Sequence, residues 1–156
     1  MTPRAIQASR IDFAALARLH ATAFDLALSA GAIGELLCSA GAFGFVIGED
    51  KEPEGLIVAR LAADEAEILT LAVSPQRRRR GLGRALVEAA AAHAEQSGGR
   101  ALFLEVDASN AAARLLYEKL GFAAVGKRTS YYAQRQGPAR DAVILKSALP
   151  IGGKCP

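Results

Sequence analysis

At 156 residues, 51% hydrophobic and 22% charged, the chain has the length and balance of one soluble globular domain, which excludes a disordered or fibrous protein. No run approaches the roughly 18 consecutive apolar residues of a membrane-spanning helix. Met1-Thr2-Pro3-Arg4-Ala5 lacks the apolar centre of a signal peptide, so a cytoplasmic location is expected. The net charge of +3 is local. Arg77, Arg78, Arg79 and Arg80 form one run, and without these four of the 19 basic residues 15 face 16 acidic ones, a net of −1. One basic loop suits a compact polyanion such as phosphate better than a nucleic-acid surface.

In chain order, Ala5 to Ala8 reads as a short strand, and Asp12 as the cap of a helix carrying Phe13, Leu16, Leu19 and Phe24 at helical spacing. A second helical piece spans about Ala32 to Ser39 and stops at Gly41. Phe43 to Ile47 is the next strand, Asp50 to Glu54 a polar turn, and Gly55 to Ala62 a further strand. Glu67 to Val73 is a strand closed by Ser74-Pro75. After the arginine run comes a helix from about Gly83 to Gln96, ended by Gly98-Gly99. Ala101 to Val106 is almost continuously apolar, as in a central strand covered on both faces. Ser109 or Asn110 caps a helix to Leu120, which Gly121 stops. Ala123 to Lys127 and Asp141 to Leu145 read as two strands around a polar connection. Early strands joined by turns and later ones by helices imply a mixed α/β (α+β) domain with helices packed on a mixed sheet. The domain is expected over 1–149, with 150–156 as a flexible tail.

Arg78-Arg79-Arg80-Gly81-Leu82-Gly83 follows a strand and opens a helix. A helix N-terminus offers unpaired N–H groups and a partial positive charge to a phosphate, glycines let the backbone approach it, and arginines add charge-assisted hydrogen bonds. No Gly-Lys-Ser/Thr follows, so the NTPase loop fails, and Leu86 stands where a dinucleotide fingerprint needs glycine or alanine. The bland alternative is a solvated arginine turn. Cys38 and Cys155 are too few and too far apart for a zinc site. His20 and His93 stand alone in helical patterns, where structural or surface roles are expected; no metal is expected.

Leu71-Ala72-Val73-Ser74-Pro75 followed by Arg78-x-x-Gly81-x-Gly83 resembles the acetyl-CoA signature of the GNAT acetyltransferases. Within them, Leu104-Glu105-Val106, Ser109 to Ala113, Leu116 to Phe122 and Tyr131-Tyr132 resemble the bacterial ribosomal-protein-alanine N-acetyltransferases, the RimI type. The resemblance runs from about Ala5 to Leu149 and is strongest from Glu65 to Leu145. It implies a mostly antiparallel mixed sheet, splayed between its two central strands and flanked by helices. It also implies acetyl-CoA bound by Leu71, Ala72, Val73, Arg78, Arg79, Arg80, Gly81, Leu82, Gly83, Arg84 and Asn110. One family feature is missing: near Phe24 such proteins carry a Trp-Ser step, whereas this chain reads Phe24-Asp25-Leu26-Ala27-Leu28-Ser29 and has no Trp. That region walls the acceptor groove in relatives.

Acetylating an amine from a thioester needs a deprotonated amine, a stabilised oxyanion and a protonated leaving thiolate. An α-amine with a pKa near 7.7–8.0 needs only a modest base. Glu105 is the single charge in Ala101 to Val106, so it stands either at an exposed strand end or facing a cleft; the resemblance implies a general base. Asn110 and Tyr117, seven residues apart, face the same way to within roughly 20°. A helical Tyr is ordinarily core, and the resemblance makes Tyr117 the acid beside the thioester sulfur. Direct transfer through a tetrahedral intermediate is expected, with a strand N–H such as that of Val73 supporting the oxyanion. The expected acceptor is the N-terminal alanine of a ribosomal protein. The alternatives are a small amine such as a polyamine or aminoglycoside, or a CoA-binding module without catalysis. A monomer or weak dimer is expected, with no nucleic-acid or membrane partner.

Overall fold

The computed structural model describes residues 2–134 and 136–152. Seven strands form one sheet: β1 (Arg4–Ala5), β2 (Ala42–Gly48), β3 (Pro53–Ala62), β4 (Glu65–Val73), β5 (Ala101–Asp107), β6 (Ala123–Tyr132) and β7 (Arg140–Ala148). Their order is β1-β2-β3-β4-β5-β7-β6, and every neighbouring pair is antiparallel except β4 with β5. A parallel pair needs a crossover, and the helix α3 (Leu82–Gln96) supplies it. The helices α1 (Phe13–Ala23) and α2 (Ala30–Cys38) join β1 to β2, and α4 (Ala111–Lys119) joins β5 to β6.

The caps explain the helix starts. The side chain of Asp12 accepts from Ala15 N–H at 3.0 Å, that of Ser29 from Ala32 N–H at 3.1 Å, and that of Asn110 from Ala113 N–H at 3.1 Å. Of the two candidates before α4, Asn110 is therefore the cap. Ser29 starts α2 two residues earlier than the apolar spacing indicates.

Strand alternation sends side chains to two faces, and each face has its own core. Ile47, Ile57, Leu102 and Leu104 point towards α3 and α4, where Leu86, Val87, Ala90 and Tyr117 meet them. Val46, Leu56 and Val58 point the other way and are covered by Leu16 and Leu19 of α1 and Ile33 of α2. Each fully buried large aliphatic side chain contributes about 1.5–3 kcal/mol.

Three expectations change. β1 ends at Ala5, because Gln7 O instead accepts the N–H groups of Arg10 and Ile11 in a turn. β5 is covered on one face only: Leu102, Leu104 and Val106 are buried, whereas Phe103, Glu105 and Asp107 are half-exposed on the other face. The residues beyond Leu149 are not all loose, since Ile151 packs against the larger core. Gly153 to Pro156, with Cys155, lie outside the described residues.

The sheet opens at its centre. β4 and β5 pair from Glu65↔Ala101 only as far as Ile68↔Leu104. On the opposite edge of β4, Val58 faces Thr70 and Ala59 faces Ile68, so Leu69 is an extra residue at the point of separation. Beyond it, β4 keeps β3 and β5 keeps β7, but the two strands part.

Candidate active site

A cleft of about 610 Å³ fills this opening. Its walls come from the end of α1 and the connection after it, Ile68 to Leu71 of β4, Leu104 to Asp107 of β5, the Asn110–Ala113–Tyr117 side of α4 and the end of β6. Glu105, Asn110 and Tyr117, the two candidate catalytic residues and one candidate cofactor ligand, all line it, as does Leu71.

Glu105 is the first β5 residue past the last β4 pair and still faces Ile144 of β7. The splay removes its β4 neighbour and brings it into the cleft; its side chain is 15% exposed. It also lines a second cavity of about 270 Å³ on the uncovered sheet face, so the carboxylate is approached from both sides. Arg128 Nε lies 2.8 Å from Glu105 Oε1. The same carboxylate, as acceptor and as charge, pushes the neighbouring Tyr131 phenol up.

Tyr117 is 5% exposed, with its ring edge-on to Phe122 at 5.6 Å. Burial, and secondarily the neighbouring Tyr132, push its phenol well above the ordinary range, so it carries its proton at any working pH. Tyr132 is pushed up to about 12, by burial first and then by Glu105. Asp107 is held low: its burial opposes ionisation, and hydrogen bonds from Ser109 with the Arg140 guanidinium 3.1 Å away outweigh that.

The β4 edge offers donors. Ser74 N–H donates across the ladder to Glu54 O at 2.8 Å. Alternation along β4 therefore turns the N–H groups of Val73 and Leu71 away from β3, towards the opening. Side chains alternate too: Leu71 and Val73 pack with the α3 side, and Ala72 is buried with α1 and α2.

The arginine–glycine loop leads from this edge into α3 and lies outside the cleft's own lining. Gly81 is the N-cap at φ +81°, has no side-chain cap bond, and has open space where a Cβ would stand. Arg79 also takes a positive φ of 60°. The first N–H groups of α3, from Leu82, Gly83 and Arg84, thus have no capping side chain and face an uncovered backbone. Gly83 is needed for packing, since a Cβ there would meet Leu116 Cδ2 at 3.3 Å. Arg78, Arg79 and Arg80 are exposed and have no carboxylate partner among the described residues, whereas Arg77 pairs with Glu54 and Arg84 with Glu88, both at 2.8 Å. A bare helix start flanked by three free guanidinium groups fits a pyrophosphate.

Sequence reasoning missed His20 and Thr70, both buried and both lining the cleft. A solitary His in an amphipathic helix gave no sign of which wall it would join. His93 does have the surface role expected, resting on Phe43 at 4.3 Å. Phe24 and Leu26, 38% and 56% exposed, line the cleft where the Trp-Ser step is missing.

A sheet splayed beside a carboxylate and a buried phenol, next to an uncapped helix start, is an arrangement that can hold a phosphate-bearing ligand against a proton acceptor and a hydrogen-bond donor. The Acetyltransferase (GNAT) family profile matches residues 14–122, and the chain belongs to that family. The [ribosomal protein bS18]-alanine N-acetyltransferase of Escherichia coli strain K12 is 41% identical over 107 residues, covering 69% of this chain and 70% of the relative. The crystal structure of the Escherichia coli ribosomal-protein-S18-alanine N-acetyltransferase superposes with a TM-score of 0.85 at 30% identity, covering 98% of this chain and 96% of that one. Arabidopsis thaliana NAA60, solved in complex with acetyl-CoA, shares the fold at a TM-score of 0.80 and 20% identity over 94% of this chain and 97% of that one.

Proposed function

We propose that this chain transfers an acetyl group from acetyl-CoA to the N-terminal α-amine of an alanine, that of the ribosomal protein bS18 or its counterpart. The observation that carries this is the cleft at the β4–β5 opening, which Glu105 and Tyr117 both line. The 41% identity to a bS18-alanine N-acetyltransferase supports the acceptor.

In this reading the backbone of Gly81, Leu82, Gly83 and Arg84 holds the pyrophosphate, with Arg78, Arg79 and Arg80 neutralising its charge. Arg84 contributes its N–H, since its side chain is engaged by Glu88. Asn110 spends its oxygen on Ala113 N–H and keeps its amide NH₂ for the cofactor. The main chain of Leu71, Ala72 and Val73 lies along the acyl arm, and the outward N–H of Leu71 or Val73 supports the oxyanion. Bound acetyl-CoA supplies a thioester that the amine attacks directly. Glu105 accepts the amine proton, directly or through one water. Tyr117, kept protonated by burial, donates a hydrogen bond to the departing sulfur.

The reading further takes the chain to act in the cytoplasm as a monomer or weak dimer, without metal, nucleic acid or membrane, with residues 1–149 as the working domain. Incubation with acetyl-CoA and a synthetic peptide bearing the bS18 N-terminus tests it. A mass gain of one acetyl group on the α-amine, lost when that amine is blocked, is expected. Turnover of a polyamine with none of the peptide would replace this acceptor by a small amine.

A further inference from the structure

The acceptor wall of the cleft hangs on one imidazole. His20 lies in the last turn of α1, 3% exposed, with both ring nitrogens engaged. Leu28 N–H donates to Nδ1 at 3.1 Å, and Nε2 lies 2.9 Å from Thr70 Oγ1. Phe24 stacks on the ring, 4.2 Å between centroids and 13° from parallel. Between Phe24 and Ser29 the chain is neither helix nor strand, yet Phe24, Asp25, Leu26 and Leu28 all line the cleft. His20 therefore ties this connection, through its backbone at Leu28 and its side chain at Phe24, to β4 two residues past the last β4–β5 pair.

The proton count is constrained. A donor aimed at Nδ1 requires a lone pair there, so the ring's one hydrogen sits on Nε2 and is donated to Thr70. Charging the ring would place a hydrogen on Nδ1 against Leu28 N–H, two donors facing each other. Burial already holds the ring below its ordinary pKa. Other titratable groups in the cleft are Asp25 on the same connection, Glu105 and Asp107 on β5, Tyr117 on α4, Tyr132 on β6 and Arg140 on β7. The residues of β4 in the cleft, Ile68 to Leu71, carry no charge.

We propose that His20 is a positioning residue which, as the neutral Nε2–H tautomer, braces the Phe24–Leu28 connection against Thr70 and thereby sets the acceptor-binding wall. This rests on the acetyltransferase reading above and adds how that chain recognises its acceptor without the Trp-Ser step. Since one side-chain brace is lost, His20→Phe, which keeps a stacking ring, raises KM for an alanine-initiated peptide about tenfold. KM for acetyl-CoA and kcat stay within about twofold. His20→Asn, which restores an acceptor near the Nδ1 position, recovers much of the loss.

The same brace predicts a pH effect free of the acceptor's own amine. Binding of the Nα-acetylated product peptide to the CoA-loaded wild type, measured by calorimetry, weakens as pH falls from about 6.5 through the lowered pKa of the ring; His20→Phe binds weakly at every pH. Nitrogen-15 shifts of the wild-type ring report its tautomer independently of any variant. An Nδ1–H tautomer, a ring charged at neutral pH, or a folded His20→Phe with a normal acceptor KM overturns the proposal. If His20→Phe does not fold, the wild-type tautomer and pH titration decide. Wild-type protein that shows the expected tautomer but acetylates no alanine-initiated peptide refutes the acceptor assignment instead.

Discussion

Replacing Tyr117 by Phe removes one oxygen and tests the chemistry with little disturbance of packing. The ring is buried against Phe122 and stays there, so folding is expected to be almost unaffected. The kinetic cost follows from the environment of the hydroxyl. A free thiol has a pKa near 8.5, far below that of this phenol, so complete proton transfer to the departing sulfur is uphill. In the proposed mechanism the hydroxyl therefore acts chiefly as a hydrogen-bond donor to growing negative charge, worth about 1.5–3 kcal/mol. That converts to a fall in kcat of roughly 10- to 150-fold, at or below the roughly 10²-fold lower end for a full general acid. Initial rates of thiol release at saturating peptide and acetyl-CoA measure it. Because the phenol's pKa is raised, its ionisation lies beyond the working range, and wild-type kcat should rise with pH and then stay level to about pH 10. A Phe variant within twofold of wild-type kcat would show that Tyr117 is packing alone and refute the argument.

Other substitutions separate the remaining roles. Glu105→Gln should lower kcat by roughly 10²–10⁴, with the loss shrinking at high pH where the amine deprotonates unaided; a pH-independent loss would make Glu105 an acceptor-binding group. Gly81→Ala meets no neighbour but must hold φ +81°, at a cost of roughly 1–2 kcal/mol, so KM for acetyl-CoA should rise several-fold, and less for Gly81→Asn. Gly83→Val presses on Leu116 and Val73 and should impair both acetyl-CoA binding and melting temperature. Asp12→Ala removes the α1 cap, far from the loop, and should cost about 1 kcal/mol in denaturant unfolding without changing KM for acetyl-CoA.

Much of this site could be read in the sequence because its parts are local. The strand–loop–helix context of Arg78 to Gly83, the single charge in Ala101 to Val106 and the seven-residue spacing of Asn110 and Tyr117 each lie within one or two elements. What escaped depends on contacts between distant segments. His20 and Thr70 are 50 residues apart, and no periodicity in α1 shows that its buried stripe ends at the opening of the sheet. The one-sided exposure of β5 was hidden for a related reason. Phe103 looks as apolar as Leu102, yet it lies on a face that no helix covers and carries the Lys146 ammonium 5.2 Å from its ring centre. The lengths of β6 and β7 were underestimated because β6 is an exposed edge of polar residues. It keeps its ladder with β7 despite two register breaks, and Lys127–Asp141 and Arg128–Glu105 ion pairs lie along it.

The splay gives Glu105 of β5 its place in the proposed mechanism. In a fully paired central strand the carboxylate would still reach water from the uncovered sheet face, but the cleft between β4 and β5 would be closed. Here the extra residue Leu69 coincides with the end of the β4–β5 ladder, and the next β5 residue is Glu105. The same separation that leaves β4 N–H groups without a strand partner opens the cleft beside Glu105. In the proposed mechanism, the donor edge for the oxyanion and the approach of the amine to Glu105 thus arise from one interruption of pairing. Re-closing that gap would pair the β4 N–H groups and shut the cleft, even with every side chain unchanged.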